Sequence, residues 1–201
     1  MPILPTELAS IFPDPELEPR LQIYLDLLLE WNTRINLISR KETAPWIHLQ
    51  DSLHFAAVLP QGGTLIDIGT GAGFPGLITA LARPDLKVTL VEPQHKKQLF
   101  LEAAAQRLQL TVTRLEARLE QGKIRATQSP KVHGGKWDHA VCKALADPAE
   151  FARMAAPLAH TLWFLASEEQ ARAAAPTWRV ARTWTVADGR PRVLLTCPGK
   201  R

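Results

Sequence analysis

The chain has 201 residues, 46% of them apolar and 22% charged, enough for one well-buried α/β core with a small appendage. No apolar run reaches bilayer-spanning length, the start Met1-Pro-Ile-Leu-Pro-Thr-Glu lacks the basic head and apolar stretch of a secretory signal, and Cys142 and Cys197 form neither a disulfide framework nor a metal-spaced set; a cytoplasmic protein with no membrane or metal is expected. The net charge of +4 is uneven, with eight acids and four bases in residues 1–63 against twelve acids and twenty bases in the remainder, so the body attracts polyanions and the amino-terminal piece does not.

Residues 1–18 are rich in proline and acid and predict no more than a short turn or two. From Pro19, the residues Leu21, Tyr24, Leu25, Leu28, Trp31 and Ile35 recur at steps of three and four, the pattern of a long amphipathic helix, with Asn32, Asn36 and Ser39 near its end. Thr43 reads as the N-cap of a second helix whose apolar face holds Trp46, Leu49, Leu53, Ala56 and Ala57, stopped by Pro60 and Gly62-Gly63. His48, Asp51 and Ser52 fall on this helix and read as surface polar residues. Residues 1–60 are thus expected to form a helical extension that braces a domain spanning 61–201.

That domain begins with Thr64–Pro75, a short buried strand running into Gly69, Gly71 and Gly73. Glycine costs entropy on folding, so three at alternate positions predict a backbone that turns sharply and lies against a ligand. A helix from Pro75 to about Ala82 would point its unpaired N–H groups at the same crevice. The strand 87–91 ends at Glu92, about 20 residues past the glycines, where a carboxylate can accept both hydroxyls of an adenosine ribose. A helix from about Gln94 to Leu108 carries Lys96 and Lys97 in its first turn, and a strand at Thr111–Leu115 follows. Residues 117–121 lead into a long loop, 122–136, that holds Lys123, Arg125, Lys131, His133 and Lys136 and no acid; beside a cofactor mouth it is a candidate RNA or phosphate contact.

Trp137–Cys142 reads as a fourth strand ending at Lys143, on the carboxyl edge where such sheets bind ligands. Next come a helix from about Pro148 to Met154, a fifth strand at Thr161–Leu165, and a helix opened by the capping-box pair Ser167 and Gln170. Trp178–Val186 and Arg192–Cys197 are β-rich and joined through Asp188-Gly189, a hairpin signal. Read literally, Gly71, Gly73 and Gly76 would suit a nicotinamide dinucleotide equally well. The helical prefix and antiparallel ending favour instead the Rossmann-like class I S-adenosylmethionine-dependent methyltransferase fold, a mostly parallel seven-stranded sheet ending in an antiparallel hairpin.

Asn36-Leu37-Ile-Ser, His48 followed by Asp51-Ser52, the run Asp67-Ile-Gly-Thr-Gly-Ala-Gly-Phe-Pro-Gly76, and Lys96-Lys97 before Phe100-Leu101 resemble, in order and spacing, the ribosomal RNA small subunit methyltransferase G family, also called glucose-inhibited division protein B. The similarity runs from about Leu25 to Ala166. The resemblance implies methylation of guanine N7 in the decoding-region loop of 16S rRNA, with 16S rRNA or the 30S subunit as partner. It also implies a cofactor site with Asp67, Gly69, Gly71, Gly73 and Phe74 at the turn, Glu92 on the ribose, and Leu119 and Glu120 near the adenine.

Three stretches depart from the family pattern, and the basic loop 122–136 is longer than usual for it. Cys142-Lys143-Ala144-Leu145-Ala146 replaces Ser-Arg-Ala-Phe-Ala, which keeps a cation but loses the planar fork. Leu165-Ala166-Ser167 replaces Leu-Lys-Gly, and Ile47 stands where an arginine usually precedes the helical histidine. Lys143 is the candidate contact for substrate or for the methionine carboxylate, and Lys96, Lys97, Lys123, Arg125 and Lys131 are candidate RNA contacts. Two rival readings remain: an NAD-dependent oxidoreductase, and a catalytically silent rRNA-binding or ribosome-assembly protein.

Overall fold

A computed structural model of the chain describes residues 3–120, 123–126, 135–143, 147–186 and 189–199. In chain order the elements are α1 (Thr6–Ile11), α2 (Leu17–Asn32), α3 (Trp46–Ala56), β1 (Thr64–Ile68), α4 (Gly76–Ala82), β2 (Lys87–Val91), α5 (His95–Arg107), β3 (Thr113–Leu115), β4 (Ala117–Glu120), β5 (Lys123–Ala126), β6 (Trp137–Lys143), α6 (Pro148–Ala155), β7 (Ala159–Ser167), α7 (Glu168–Ala173), β8 (Arg179–Thr185) and β9 (Pro191–Pro198). Seven strands form one sheet in the order β3-β2-β1-β6-β7-β9-β8. The pairs from β3 to β7 are parallel, whereas β9 runs antiparallel to both β7 and β8. The expected parallel sheet with an antiparallel ending is therefore what the chain forms.

β1 lies at the centre and is buried from Leu65 to Ile68, because a parallel strand covered on both faces needs apolar residues throughout. The chain winds outward from β1 through β2 and β3, then returns to β6 on its other side. The carboxyl ends of β1 and β6 therefore meet at the topological switch point, where an open α/β sheet leaves a crevice. β8 at the edge is mostly exposed, carries Arg179 and Arg182, and slips register between Val180 and Arg182, features that blunt an edge against further pairing.

The helical extension shares the sheet's core. Leu17, Leu21, Tyr24, Leu25 and Leu28 of α2 are buried in one apolar cluster with Leu53 and Phe55 of α3, Leu77 of α4 and Phe100 of α5. α2 stops at Asn32, short of Ile35, because the Asn32 Oδ1 accepts the N–H groups of Leu37 (2.8 Å) and Ile38 (3.0 Å) and turns the chain. Thr43 is not the N-cap of α3; Pro45, with φ of −62°, occupies that place, and its fixed dihedral suits a helix start. The surface reading of Asp51 and Ser52 also fails: both are fully buried and His48 is half-buried, because α3 is covered on almost every side. The stretch 117–126 is not a lead into a loop: β4 and β5 pair antiparallel as a separate two-stranded sheet. Leu119 and Ile124 pack that hairpin against the second apolar cluster. Residues 127–134 of the expected basic loop, including Lys131 and His133, lie outside the described residues, as does Asp188 of the expected turn.

Arg83, just past α4, fastens the extension to the sheet. Its Nη1 donates to the carbonyls of Ala56 (3.0 Å) and Leu59 (2.9 Å), its Nη2 to that of Pro60 (2.6 Å), and Asp85 Oδ2 holds it at 2.7 Å. A helix end leaves carbonyls unpaired, and here a charged side chain from another element satisfies them. Replacing Arg83 by alanine is expected to lower unfolding free energy by about 2 kcal/mol, the scale of lost hydrogen bonds to a charged group, read as a lower urea midpoint at unchanged slope.

Candidate active site

β1 runs at Gly69 into a turn where Gly69, Gly71 and Gly73 have φ of 73°, 59° and 95°, a region that side chains resist. Their neighbours differ. A Cβ on Gly71 would meet nothing nearer than the Gly69 carbonyl at 4.0 Å, so this glycine opens into the crevice. A Cβ on Gly76 would sit 2.6 Å from Leu90 Cδ2 and 2.7 Å from Asp67 Cβ; its absence lets α4 seat on β1 and β2.

Asp67 ties the turn together from beneath. Its Oδ2 accepts from Thr70 Oγ1 (2.5 Å) and from the Gly76 N–H (2.7 Å), while its Oδ1 is buried with no hydrogen-bond partner among the described residues. Burial pushes its carboxyl up to about 7, with Glu92 adding to the push and the two hydrogen bonds and Lys143 opposing it. From α2, the buried Tyr24 hydroxyl donates to the Ala72 carbonyl, and its ring meets Phe74 edge-on at 5.6 Å. Glu92, at the end of β2, is 4% exposed and accepts from the Gly71 N–H (3.1 Å) and the Gln94 N–H (2.9 Å).

Two concavities flank the turn. One, of about 350 Å³, is lined in part by Ile68, Gly69, Val91, Leu119, Glu120 and Met154, so the turn and the β4–β5 hairpin share an apolar-walled cleft. The other, of about 240 Å³, lies past Phe74 at the end of β6. There Lys143 Nζ contacts Asp51 Oδ2 at 2.8 Å and His48 Nδ1 at 3.0 Å, and stands 5.7 Å from the centre of the Phe74 ring. Burial opposes ionisation of Asp51, but Lys143 and Arg192, with a hydrogen bond from Trp184, hold its carboxyl below the ordinary range. Burial and the nearby Lys143 lower His48 to about 4, so its ring is neutral at physiological pH.

The structure therefore gathers Asp67, Gly69, Gly71, Gly73, Phe74 and Glu92 around one turn, with Leu119 and Glu120 across the first cleft and Lys143 at the second. Lys96 and Lys97 lie in the first turn of α5, exposed and half-buried respectively, and Lys123 and Arg125 are exposed on β5. Sequence reading undervalued Asp51 and missed Trp184 and Arg192. A partial signal for the burial of α3 was present, because Ile47 and Phe55 lie off the stripe formed by Trp46, Leu49, Leu53 and Ala56.

The fold is shared with known proteins. By fold, the chain is similar to cofactor-bound Rv0187 from MTB (18% identity, TM-score 0.60, 91% of each chain) and to a SAM dependent methyltransferase from Aquifex aeolicus (16% identity, TM-score 0.51, 77% of this chain and 93% of that one). The fold class is that of Rossmann-like S-adenosylmethionine-dependent methyltransferases. Residues 17–172 match the family described as GidB, rRNA small subunit methyltransferase G, and the chain belongs to that family. Its relatives include proteins named ribosomal RNA small subunit methyltransferase G from Acidiphilium cryptum (42% identical over 109 residues, 52% of this chain and 50% of that protein) and from Chromobacterium violaceum (35% over 150 residues, 74% and 68%). The chain spans about half the length of the first of these relatives.

Asp67 makes a pH prediction. Below about pH 4 its carboxyl is protonated in both folded and unfolded chains and carries no differential cost. Between that and about 7 the folded state binds more protons, so wild-type stability falls as pH rises. Asp67→Asn retains an acceptor for Thr70 and Gly76 but cannot ionise. Its melting temperature relative to wild type, without cofactor, is expected to be several degrees more favourable at about pH 8 than at about pH 4.5; a gap independent of pH would mean that the folded carboxyl ionises normally.

Proposed function

We propose that the chain is a 16S rRNA (guanine-N7)-methyltransferase that uses S-adenosylmethionine and acts in the cytoplasm on 16S rRNA or the 30S subunit. The observation that carries this reading is the switch point itself, where a positive-φ glycine turn, a buried carboxylate on its N–H, and a lysine-bearing pocket adjoin. The turn fits an adenosyl cofactor: Gly71 leaves room for close approach, Glu92 presents a carboxylate at the end of β2, and Asp67 has an acceptor without a partner among the described residues. In this reading Glu92 takes the ribose hydroxyls, Leu119 and Glu120 flank the adenine, and Asp67, Gly69, Gly71, Gly73 and Phe74 shape the methionine side. S-adenosylmethionine supplies a methyl group on a sulfonium, which makes it electrophilic.

The chain's own work is positioning. Guanine N7 carries a free lone pair, so transfer to it needs no general base, and holding the acceptor in line accounts for the acceleration. Lys143, fixed by Asp51 and His48, contacts the substrate or the methionine carboxylate. Lys96, Lys97, Lys123, Arg125 and Lys131 hold RNA phosphates, which position an unstacked loop base without reading it. Residues 1–60 act as a helical extension bracing a methyltransferase domain of residues 61–201, through Tyr24 on the turn and Asp51 on Lys143.

S-adenosylmethionine is expected to raise the melting temperature while NAD leaves it unchanged; the opposite result would favour an oxidoreductase. With cofactor and 16S rRNA, the purified protein should place one 7-methylguanine in the decoding region, read by mass spectrometric mapping. RNA binding without any methyl transfer would instead favour the catalytically silent reading. Lys143→Ala should lower turnover at least tenfold, while Lys143→Arg, the residue of the family pattern, retains it; full activity in the alanine variant would remove Lys143 from the mechanism.

A further inference from the structure

The second concavity holds more than Lys143. Asp51, Ala166, Ser167, Trp184 and Arg192 also line it. Asp51 is the floor, with its side chain wholly buried, while the Lys143 and Arg192 side chains are 17% and 20% exposed at the rim. Trp184 Nε1 donates to Asp51 Oδ1 at 3.0 Å, and Lys143 Nζ and Arg192 Nε approach Asp51 Oδ2 at 2.8 and 3.5 Å. One carboxylate therefore faces two cations. His48 is neutral, and Glu42 lies beyond its ring, 3.8 Å from Nε2, so the rim keeps a positive surplus.

Arg192 meets Asp51 through Nε at a long distance, not through its two-pronged fork, and among the described residues its Nη1 has a 3.5 Å contact to the Pro191 carbonyl. A guanidinium held this way presents a fork suited to a second oxyanion. Arg192 pairs across strands with Ser167, next to Ala166 at the end of β7. The pocket therefore receives its second cation from β9, the strand beside Ala166.

We propose that Arg192 and Lys143 form a subsite for a phosphodiester of the substrate RNA, with Arg192 of β9 supplying the second positive charge. The proposal rests on the methyltransferase reading and adds to it a residue and a ligand group. Arg192 contacts substrate, not cofactor, and Asp51 positions it.

The test compares wild type, Arg192→Gln and Arg192→Lys. Glutamine retains a donor towards Asp51 but no charge, so it separates ligand binding from folding. Binding of 16S rRNA is titrated at several salt concentrations, alongside S-adenosylmethionine affinity and thermal melts. Arg192→Gln should weaken RNA binding about tenfold and reduce the slope of log affinity against log salt by about 0.7, the value for one lost single-strand phosphate contact. S-adenosylmethionine affinity should stay within about twofold, and Arg192→Lys should restore the slope. An unchanged slope with a lowered melting temperature would overturn the proposal by making Arg192 merely a partner of Asp51; weakened cofactor binding at constant RNA affinity would overturn it by assigning the anion to the methionine carboxylate. Methyl transfer by the wild-type protein tests the underlying reading separately, because the salt slope is measured without turnover.

Discussion

The carboxylate of Asp67 is the constraint on which the site depends. One oxygen accepts from a side chain of the glycine turn and from the first residue of α4, so the end of β1, the turn and the start of the helix share a hydrogen-bonding centre. A buried carboxyl is tolerated only when its hydrogen bonds offset the loss of water. Those bonds explain why it can lie under a turn whose backbone must remain open. Glycine 76 contributes from the packing side, since any larger residue would push into the same carboxyl.

A second buried acid repeats this arrangement with charge. Asp51 brings together α3, β6, β8 and β9, because Lys143, Trp184 and Arg192 all converge on it. Breaking one partner of a buried ion pair is costly because the other is left unpaired. Lys143 at the end of β6 and Arg192 of β9 both reach the same Asp51 oxygen.

What sequence reading could recover follows from the range of the physics involved. The β1 strand, its glycines and Glu92 were legible because a turn and a strand end are local, and their spacing carries the reason for them. The capping box at Ser167 and Gln170 was legible for the same reason, and both of its hydrogen bonds are formed. Asp51 was not, since its partners Lys143 and Trp184 stand 92 and 133 residues away and only the sheet order brings them near. β5 was hidden differently: Lys123-Ile-Arg-Ala alternates as a strand should, but its charge drew attention to solvent.

Tyr24 and Asp51 have an implication for how the protein can be divided. A shortened chain beginning at residue 61 would keep every strand, yet the glycine turn would lose the phenol that braces Ala72 and Lys143 would lose its counter-ion. Leu77 and Phe100 would face water where α2 and α3 now cover them. The amino-terminal helices are therefore a structural part of the candidate site, and cutting between them and the sheet would cut through it.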